Sequence, residues 1–488
     1  MPRRLAAFIE KFTVLKSAPR ELWVIYVAKV LEIVSYALVM STVVLWLSSD
    51  LGFSDAAAGD TVAIWSTLIT LTTLMVGSLV DAIGIRKSFL LGFLICLVTR
   101  AIITSTTVKW VAIPLGLMVM APGEALMIPV MTAGVKLYSN LKQRSMAFSM
   151  YYVLMNVGFA IAGWLFDLLR RSLGEYGTLA LPGGIEISTY RAILLTSFAI
   201  TIPAIIFTWI FLREGVEMTE EGVKITPERP KYAGVNVFVA LYRMSKEALQ
   251  DTARIFVDVC KQSTFHRFLI FLTLIAFVRL VFYHMHFTFP KYGIRELGEG
   301  APVGNLWGVL NPITIVILAP IVGALSHKVS SYKMISWGTS ISALPVLLLA
   351  MPRQIFQPLA DSWFGHLIGH TWLHVEGAID PLYVSITLFV FIFSIGEAIW
   401  SPRLYEYTAS IAPKGQAGSY MALSLLPYFL AKLIVGLMSG RLLEAYCPAT
   451  GPRHSETLWL IIGAMAIVCP VGIITLRKYI RSREEGRD

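Results

Sequence analysis

Charge is scarce in this sequence. Only 15% of its 488 residues are Asp, Glu, Lys or Arg, 56% are hydrophobic, and the mean hydropathy is +0.68. A soluble domain carries about 25% charged residues, so the composition excludes an ordinary water-soluble protein and implies an integral membrane one. Cysteine is also scarce. Cys96, Cys260, Cys447 and Cys469 are scattered without C-x-x-C spacing, which excludes a disulfide framework and a metal ribbon. No G-x-x-x-x-G-K-[ST] loop, nucleophile elbow or H-E-x-x-H is present. An ATP-driven pump and an enzyme are therefore not expected, and neither is a bound cofactor. A short apolar region followed by a small-residue cleavage site is missing too. The stretch from Trp23 to Leu47 is expected to be a retained first span rather than a signal peptide.

What is abundant is long apolar runs. A helix needs about 20 mostly apolar residues to cross a bilayer. Twelve runs qualify, at 23–48, 57–81, 88–107, 110–136, 145–169, 189–212, 266–289, 304–326, 332–351, 383–409, 416–440 and 456–477. Two connections are long. The one at 213–265 separates six runs from six, and its later part, VFVALYRMSKEALQDTARIFVDV, has the apolar spacing of a helix lying on a membrane surface. The other is 352–382.

With residues in the first or last three positions of a run counted with the adjoining connection, 27 of the 41 Lys and Arg residues fall on the side of the termini, 9 on the opposite side, and five (Lys29, Arg100, Arg279, Arg403 and Lys432) deep inside spans. The positive-inside rule then places both termini in the cytoplasm, as an even span count requires. The net charge of +10 is explained by topology, and no nucleic acid partner is implied.

The loop after the second run reads GSLVDAIGIRKSFLLG, with Gly77, Leu79, Asp81, Gly84, Arg86 and Lys87. It resembles the signature loop of the major facilitator superfamily, G-x-L-x-D-x-x-G-R-K, with Ile85 in place of one basic residue. A degraded copy, GALSHKVSSYK from Gly323 to Lys333, occurs six runs later with Ser326 at the acid's position. The resemblance implies an all-α fold of twelve transmembrane helices in two six-helix bundles. The segments would be a cytoplasmic start (1–22), the first bundle (23–212), a cytoplasmic linker with an amphipathic helix (213–265), the second bundle (266–477) and a cytoplasmic tail (478–488). Asp81, Arg86 and Lys87 would act in gating, by pairs that break as the halves rock.

Further segments resemble the proton-coupled oligopeptide transporters within that superfamily. In the fifth run, Phe148, Tyr151, Tyr152, Asn156 and Gly158 match a family signature, while Met155 and Phe159 depart from it. Asn156 could bond a neighbouring helix or a ligand. In the fourth run, Gly123 and Pro129 match a G-x-G-x-x-K-P segment. The substrate-contacting lysine of that segment falls on Ile128, and Glu124 adds a carboxylate one turn earlier. In the tenth run, SIGEAIWSPRLYEYTASIAPKG keeps Gly396, Glu397, Ser401, Pro402, Ala412, Pro413 and Lys414 of a G-E-x-x-x-S-P run and its A-P-K sequel. Pro402 frees a backbone carbonyl one to two turns beyond Glu397, and it is a second gating candidate. In the first run, the family's E-x-x-E-R-F-x-Y-Y places Lys29 on the first glutamate, Glu32 on the second, Ile33 on the arginine and Tyr36 among the aromatics. Residues 29, 32 and 36 share one helical face.

The resemblance implies a secondary active transporter that moves a small organic solute by alternating access, by proton-coupled symport of a peptide or peptide-like substrate. Lys29, Glu32, Tyr36, Glu124, Asn156, Arg279, Glu397 and Trp400 are its expected substrate-binding or proton-coupling residues, with the proton as coupling ion. Mid-span Arg279 could pair with Glu32 or Glu397, since a charge in a span normally faces a cavity and a partner. Its neighbours His284 and His286 are expected at the interface, and Lys432 is a weaker cavity residue. A proton-coupled transporter or exporter of another organic solute (a drug, nucleoside or sugar) remains open, as does a membrane receptor or lipid-handling protein without coupled transport. His366, His370 and His374 recur every fourth residue and would share a face if helical. They suit either zinc or copper or an interfacial surface helix, so no metal is assigned. The expected partners are a small-molecule solute and the lipid bilayer, with the chain a monomer in a plasma or bacterial inner membrane.

Overall fold

A computed structural model describes residues 14–219, 222–225, 263–326, 329–411 and 426–481, with isolated positions between 239 and 250. Most of the expected surface helix in the linker, the Ala412-Pro413-Lys414 triplet, the tail from 482 and the side chain of Asp81 lie outside the described residues.

Long helices cover the expected spans. They are α1 (Arg20–Ser49), α2 (Asp55–Ile83), α3 (Ile85–Ser105), α4 (Lys109–Leu137), α5 (Leu141–Leu173) and α6 (Thr189–Phe211), then α7 (Ser263–Phe287), α8 (Gly304–Gly323), α9 (Ser331–Ala350), α10 (Pro381–Ile411), α11 (Leu426–Tyr446) and α12 (Ser455–Thr475). Among the described residues, ten of these are long and apolar enough to cross a membrane, and α2 and α11 lie over the other two expected spans. Runs this rich in Val and Ile form helices because hydrocarbon offers no other partner to backbone N–H and C=O groups. The 30 residues of α1 exceed the roughly 20 needed to cross. Prolines interrupt α4 (Pro122 and Pro129), α6 (Pro203), α8 (Pro320), α10 (Pro402) and α12 (Pro470). Each removes one helical hydrogen bond.

Two elements depart from the all-helical expectation. Thr178–Leu181 pairs antiparallel with Ile185–Ser188, and Val216–Thr219 with Gly222–Ile225. The linker therefore opens as a short hairpin, where Gly222 at φ 123° supplies a turn that only glycine adopts easily.

The chain divides into two compact units. The first comprises Met1–Val39, Leu68–Ala162 and Arg191–Ala253. Its core packs Leu22, Ile25 and Tyr26 of α1 against Phe89, Phe93, Met127 and Met131. The second comprises Met40–Thr67, Gly163–Tyr190 and Arg254–Asp488. It joins the last third of α1, the start of α2 and the end of α5 to the C-terminal helices, whose own core packs Phe271, Ile275, Tyr332, Trp400 and Tyr407.

Candidate functional site

In the first unit, Lys29 and Glu32 form an ion pair of 3.1 Å within α1, both side chains almost fully buried. The Lys29 ammonium also lies 5.1 Å from the ring centroid of Tyr151 on α5. The local sequence makes this pairing natural, because residues three apart are neighbours on a helix. Tyr36, one turn further on, is partly exposed.

A second buried pair was not foreseen. Arg100 of α3 donates to Glu124 of α4 at 2.6 Å and also to the Thr201 hydroxyl of α6. Arg100 and Glu124 are 1% and 4% exposed, so the pair fastens three helices inside the unit. A mid-span arginine signalled a buried partner, but spacing alone could not say which carboxylate it meets. Asn156 donates to the Tyr152 carbonyl of its own helix at 2.9 Å. Ile33 packs on Gly158, where an added Cβ would lie 2.7 Å from its Cγ2.

In the second unit, α7, α8, α10 and α11 converge on Glu397. Arg279 of α7 donates to Glu397 at 3.2 Å, to Ser401 at 2.7 Å and to the Tyr428 hydroxyl at 2.7 Å. Asn311 of α8 donates to the other Glu397 oxygen at 3.1 Å and to Ser394 at 2.9 Å. The Arg279 guanidinium sits 4.5 Å from Trp400 and 4.4 Å from Tyr428, within cation–π range. Of the two partners open to Arg279 in the sequence, Glu397 is the one it meets here. Pro402 follows directly on the Ser401 that shares this arginine. Lys432 lies 5.6 Å from the Tyr283 ring.

The signature-loop residues are tied to the end of α6. Arg86 donates to the Trp209 carbonyl at 2.7 Å, and Arg86 and Lys87 flank Glu214 at 3.4 and 3.8 Å. Gly84, at φ 83°, makes the turn between α2 and α3.

Residues 25–435 match the sequence profile of the Major Facilitator Superfamily. The chain is a member of that superfamily. It is therefore a transporter and not an enzyme. A search among proteins of curated function returned no match. Solved structures with the same fold include a POT family transporter in complex with 5-aminolevulinic acid, at TM-score 0.68 and 16% identity over 95% of this chain and 97% of that one. A POT family transporter in complex with a thioalcohol-conjugated peptide gives TM-score 0.67 and 16% identity, over 96% of this chain and 100% of that one. The peptide transporter POT in complex with sulfate gives 0.65 and 14%, over 96% and 98%. At these identities the likeness establishes the fold.

Within the second unit, ion pairs and close backbone contacts join several helix ends of this superfamily member. Asp55 at the start of α2 pairs with Lys291 and Arg295, both at 2.7 Å. Asp60 pairs with Arg441 of α11. Helices α2 and α11 touch backbone to backbone: a Cβ on Gly59 would lie 2.7 Å from the Gly436 carbonyl. On α5, Gly163 approaches Gly304 and Gly308 equally closely. Arg170 is 1% exposed and is satisfied by Asp167, Glu175 and the Ala301 carbonyl. By sequence, the lysines and arginines among these read only as topological charges.

The histidines need correction. His284 and His286 are not interfacial but buried, 0% and 5% exposed. His284 bonds Thr288, and His286 accepts from Trp307 at 3.5 Å. His366 and His370 do neighbour each other, with ring centroids 5.1 Å apart. The helix ends at Trp372, however, and His374 has φ 52°, so it leaves their face. Among the described residues no three ligating side chains gather for a metal.

Proposed function

We propose that this superfamily member carries a small organic solute by alternating access, coupled to protons, with peptides or peptide-like compounds as its substrate class. The observation that carries this reading is the Arg279–Glu397 pair, held among Ser401, Tyr428 and Asn311 beside Pro402. Opening a buried ion pair leaves a charge uncompensated, and the neutral hydrogen-bonding groups around this one offset part of that cost. Protonating Glu397 frees Arg279 for a substrate carboxylate, and the carboxylate alone suits a substrate ammonium. In the first unit, Lys29–Glu32 offers the same choice, with Tyr151, Tyr36, Glu124 and Asn156 in supporting parts. Trp400 would shape the Arg279 site. The two six-helix bundles (23–212 and 266–477) would rock about this chemistry, Pro402 giving α10 its bend. Asp81, Arg86 and Lys87 would gate the end nearer the termini. Both termini would be cytoplasmic in a plasma or bacterial inner membrane, and the working unit a monomer.

The test is uptake into proteoliposomes. A pH gradient is expected to drive accumulation of di- or tripeptides, and a protonophore to abolish it. Glu32→Gln with Glu397→Gln should remove gradient-driven accumulation while leaving solute exchange. Intact accumulation in that double variant would sink the coupling assignment.

A second reading, transport or export of another organic solute, is favoured by two positions. Ile33 is buried against Gly158, and Ile128 is half exposed, where the family resemblance expects an arginine and a lysine. Thermal shifts across peptides, nucleosides, sugars and drugs separate the two readings by which class stabilises the protein.

A further inference from the structure

The connection between α9 and α10 is long, and its surface is unusual for a loop. Down α9, Trp337, Leu344 and Met351 are 58%, 57% and 41% exposed. Trp337 and Leu344, seven apart along the helix, share one face, the face an isolated span turns to lipid, and Met351 follows directly on its last turn. The stripe does not stop where α9 ends. Ile355, Leu359, Trp363 and Leu367 follow at every fourth residue, 57%, 41%, 76% and 47% exposed.

These residues lie on a chain of short helical pieces, Arg353–Phe356, Gln357–Ala360, Trp363–His366 and Leu367–Trp372. The opposite side is packed on the protein: Phe356, Ala360, Ile368 and Leu373 are at most 5% exposed. Gly365 lets the third piece fold onto the second, since a Cβ there would lie 2.0 Å from the Ala360 carbonyl. Both ends are pinned. Arg353 pairs with Glu296 and with Asp380, and Arg171 donates to the Leu373 carbonyl at 2.5 Å. The segment is thus a pinned strap whose exposed surface carries Ile355, Leu359, Trp363 and Leu367, with the polar Gln354, Gln357, Asp361, His366 and His370 between them.

We infer that residues 353–373 lie in the headgroup and acyl boundary of the leaflet opposite the termini, with Trp363 as the anchor. An exposed apolar stripe marks an interaction surface, and lipid is the occupant because the stripe continues the lipid-facing side of α9. Tryptophan concentrates at this depth of a bilayer. No Lys or Arg occurs from Gln354 to Asp380. The strap therefore binds through apolar burial and does not depend on anionic headgroups, unlike a basic surface helix.

The test places an environment-sensitive NBD fluorophore at Trp363→Cys, Leu367→Cys and, as control, Asp361→Cys. The background is Cys260→Ser, and the remaining cysteines are buried. In pure phosphatidylcholine vesicles, a nitroxide at carbon 5 of the acyl chain should quench positions 363 and 367 at least twofold more than 361. Aqueous iodide should show the reverse order. Ile355→Cys serves in place of either variant that fails to fold by thermal unfolding. Equal iodide quenching at all positions would overturn the inference. So would energy transfer between copies at 363 without nitroxide quenching, which would assign the stripe to a second copy, and so would insertion that requires anionic lipid.

Discussion

Asp167 on α5 caps α8 through Asn305. One carboxylate oxygen accepts from the Asn305 backbone N–H at 2.6 Å and from its side-chain amide at 2.7 Å, and the other accepts from the Gly304 N–H at 2.9 Å. The first turn of a helix leaves N–H groups unsatisfied and favours negative charge. Here the charge comes from the other half of the sequence. The contact therefore exists only while these ends of α5 and α8 are together, as a latch in the proposed alternating access would require.

Replacing that carboxylate should weaken the latch. Hydrogen bonds to charged groups contribute about 1.5–3 kcal/mol each, and each 1.4 kcal/mol is about tenfold in an equilibrium. In Asp167→Asn the population with α5 and α8 separated should rise at least tenfold. Spin labels at Ser172→Cys and Glu299→Cys, both exposed, would read it as a new long-distance peak. An unchanged distance distribution would mean that the cap plays no part in closure.

The glycine seam makes a similar case by sterics. A Cβ at Gly440 would lie 1.8 Å from the Asp55 carbonyl, and backbone cannot yield as a flexible side chain does. Overpacking costs about 1–3 kcal/mol. Gly440→Ala should push α2 off α11 and raise amide exchange over residues 55–60. Gly323→Ala, with nothing within 4 Å of its added methyl, should leave exchange unchanged and is the control.

How far the sequence reached depended on the kind of contact. The spans were legible because hydrophobic length alone decides them. The Glu397 site was legible because Gly396, Glu397, Ser401 and Pro402 sit together on one helix and Arg279 was a mid-span charge in need of a partner. Arg100–Glu124 was not, because the pairing depends on how α3 and α4 rotate against each other. A helix that is apolar all round gives no period to read. The same blindness put His284 and His286 at the interface. The latch was hidden for another reason. Asp55, Asp167, Lys291 and Arg295 are distant in sequence, and each alone resembles an ordinary loop or helix-end charge.

The Arg100–Glu124 pair yields a prediction that separates architecture from coupling. Removing one partner of a buried pair typically costs about 3–5 kcal/mol, because the other charge is left uncompensated, whereas removing both can be nearly neutral. Arg100→Gln and Glu124→Gln should each lower the melting temperature of the purified protein. The double variant should melt higher than either. If instead Glu124→Gln leaves the melting temperature unchanged and abolishes proton-driven uptake, Glu124 is a coupling group and not a fastener.

The Glu175 contacts should ignore pH across the neutral range. Glu175 lies outside the spans, where it accepts from Arg170 at 2.9 Å, Tyr190 at 2.6 Å and the Gly300 N–H at 3.0 Å. Burial alone would raise its carboxyl, but the Arg170 hydrogen bond and charge, with Tyr190 and Gly300, hold it below the ordinary 4.5. A carboxyl lowered in the closed, folded form contributes stability that is fully present above its unfolded value and lost only as pH falls through the lowered one. The label distance between Ser172→Cys and Glu299→Cys should therefore be constant from about pH 8 to about pH 5 and lengthen only in stronger acid. If it lengthens near neutrality, protons act on these contacts themselves. If it does not, and uptake is proton-coupled as proposed, the proton acts elsewhere, and Glu397, Glu32 and Glu124 are the buried carboxylates to test.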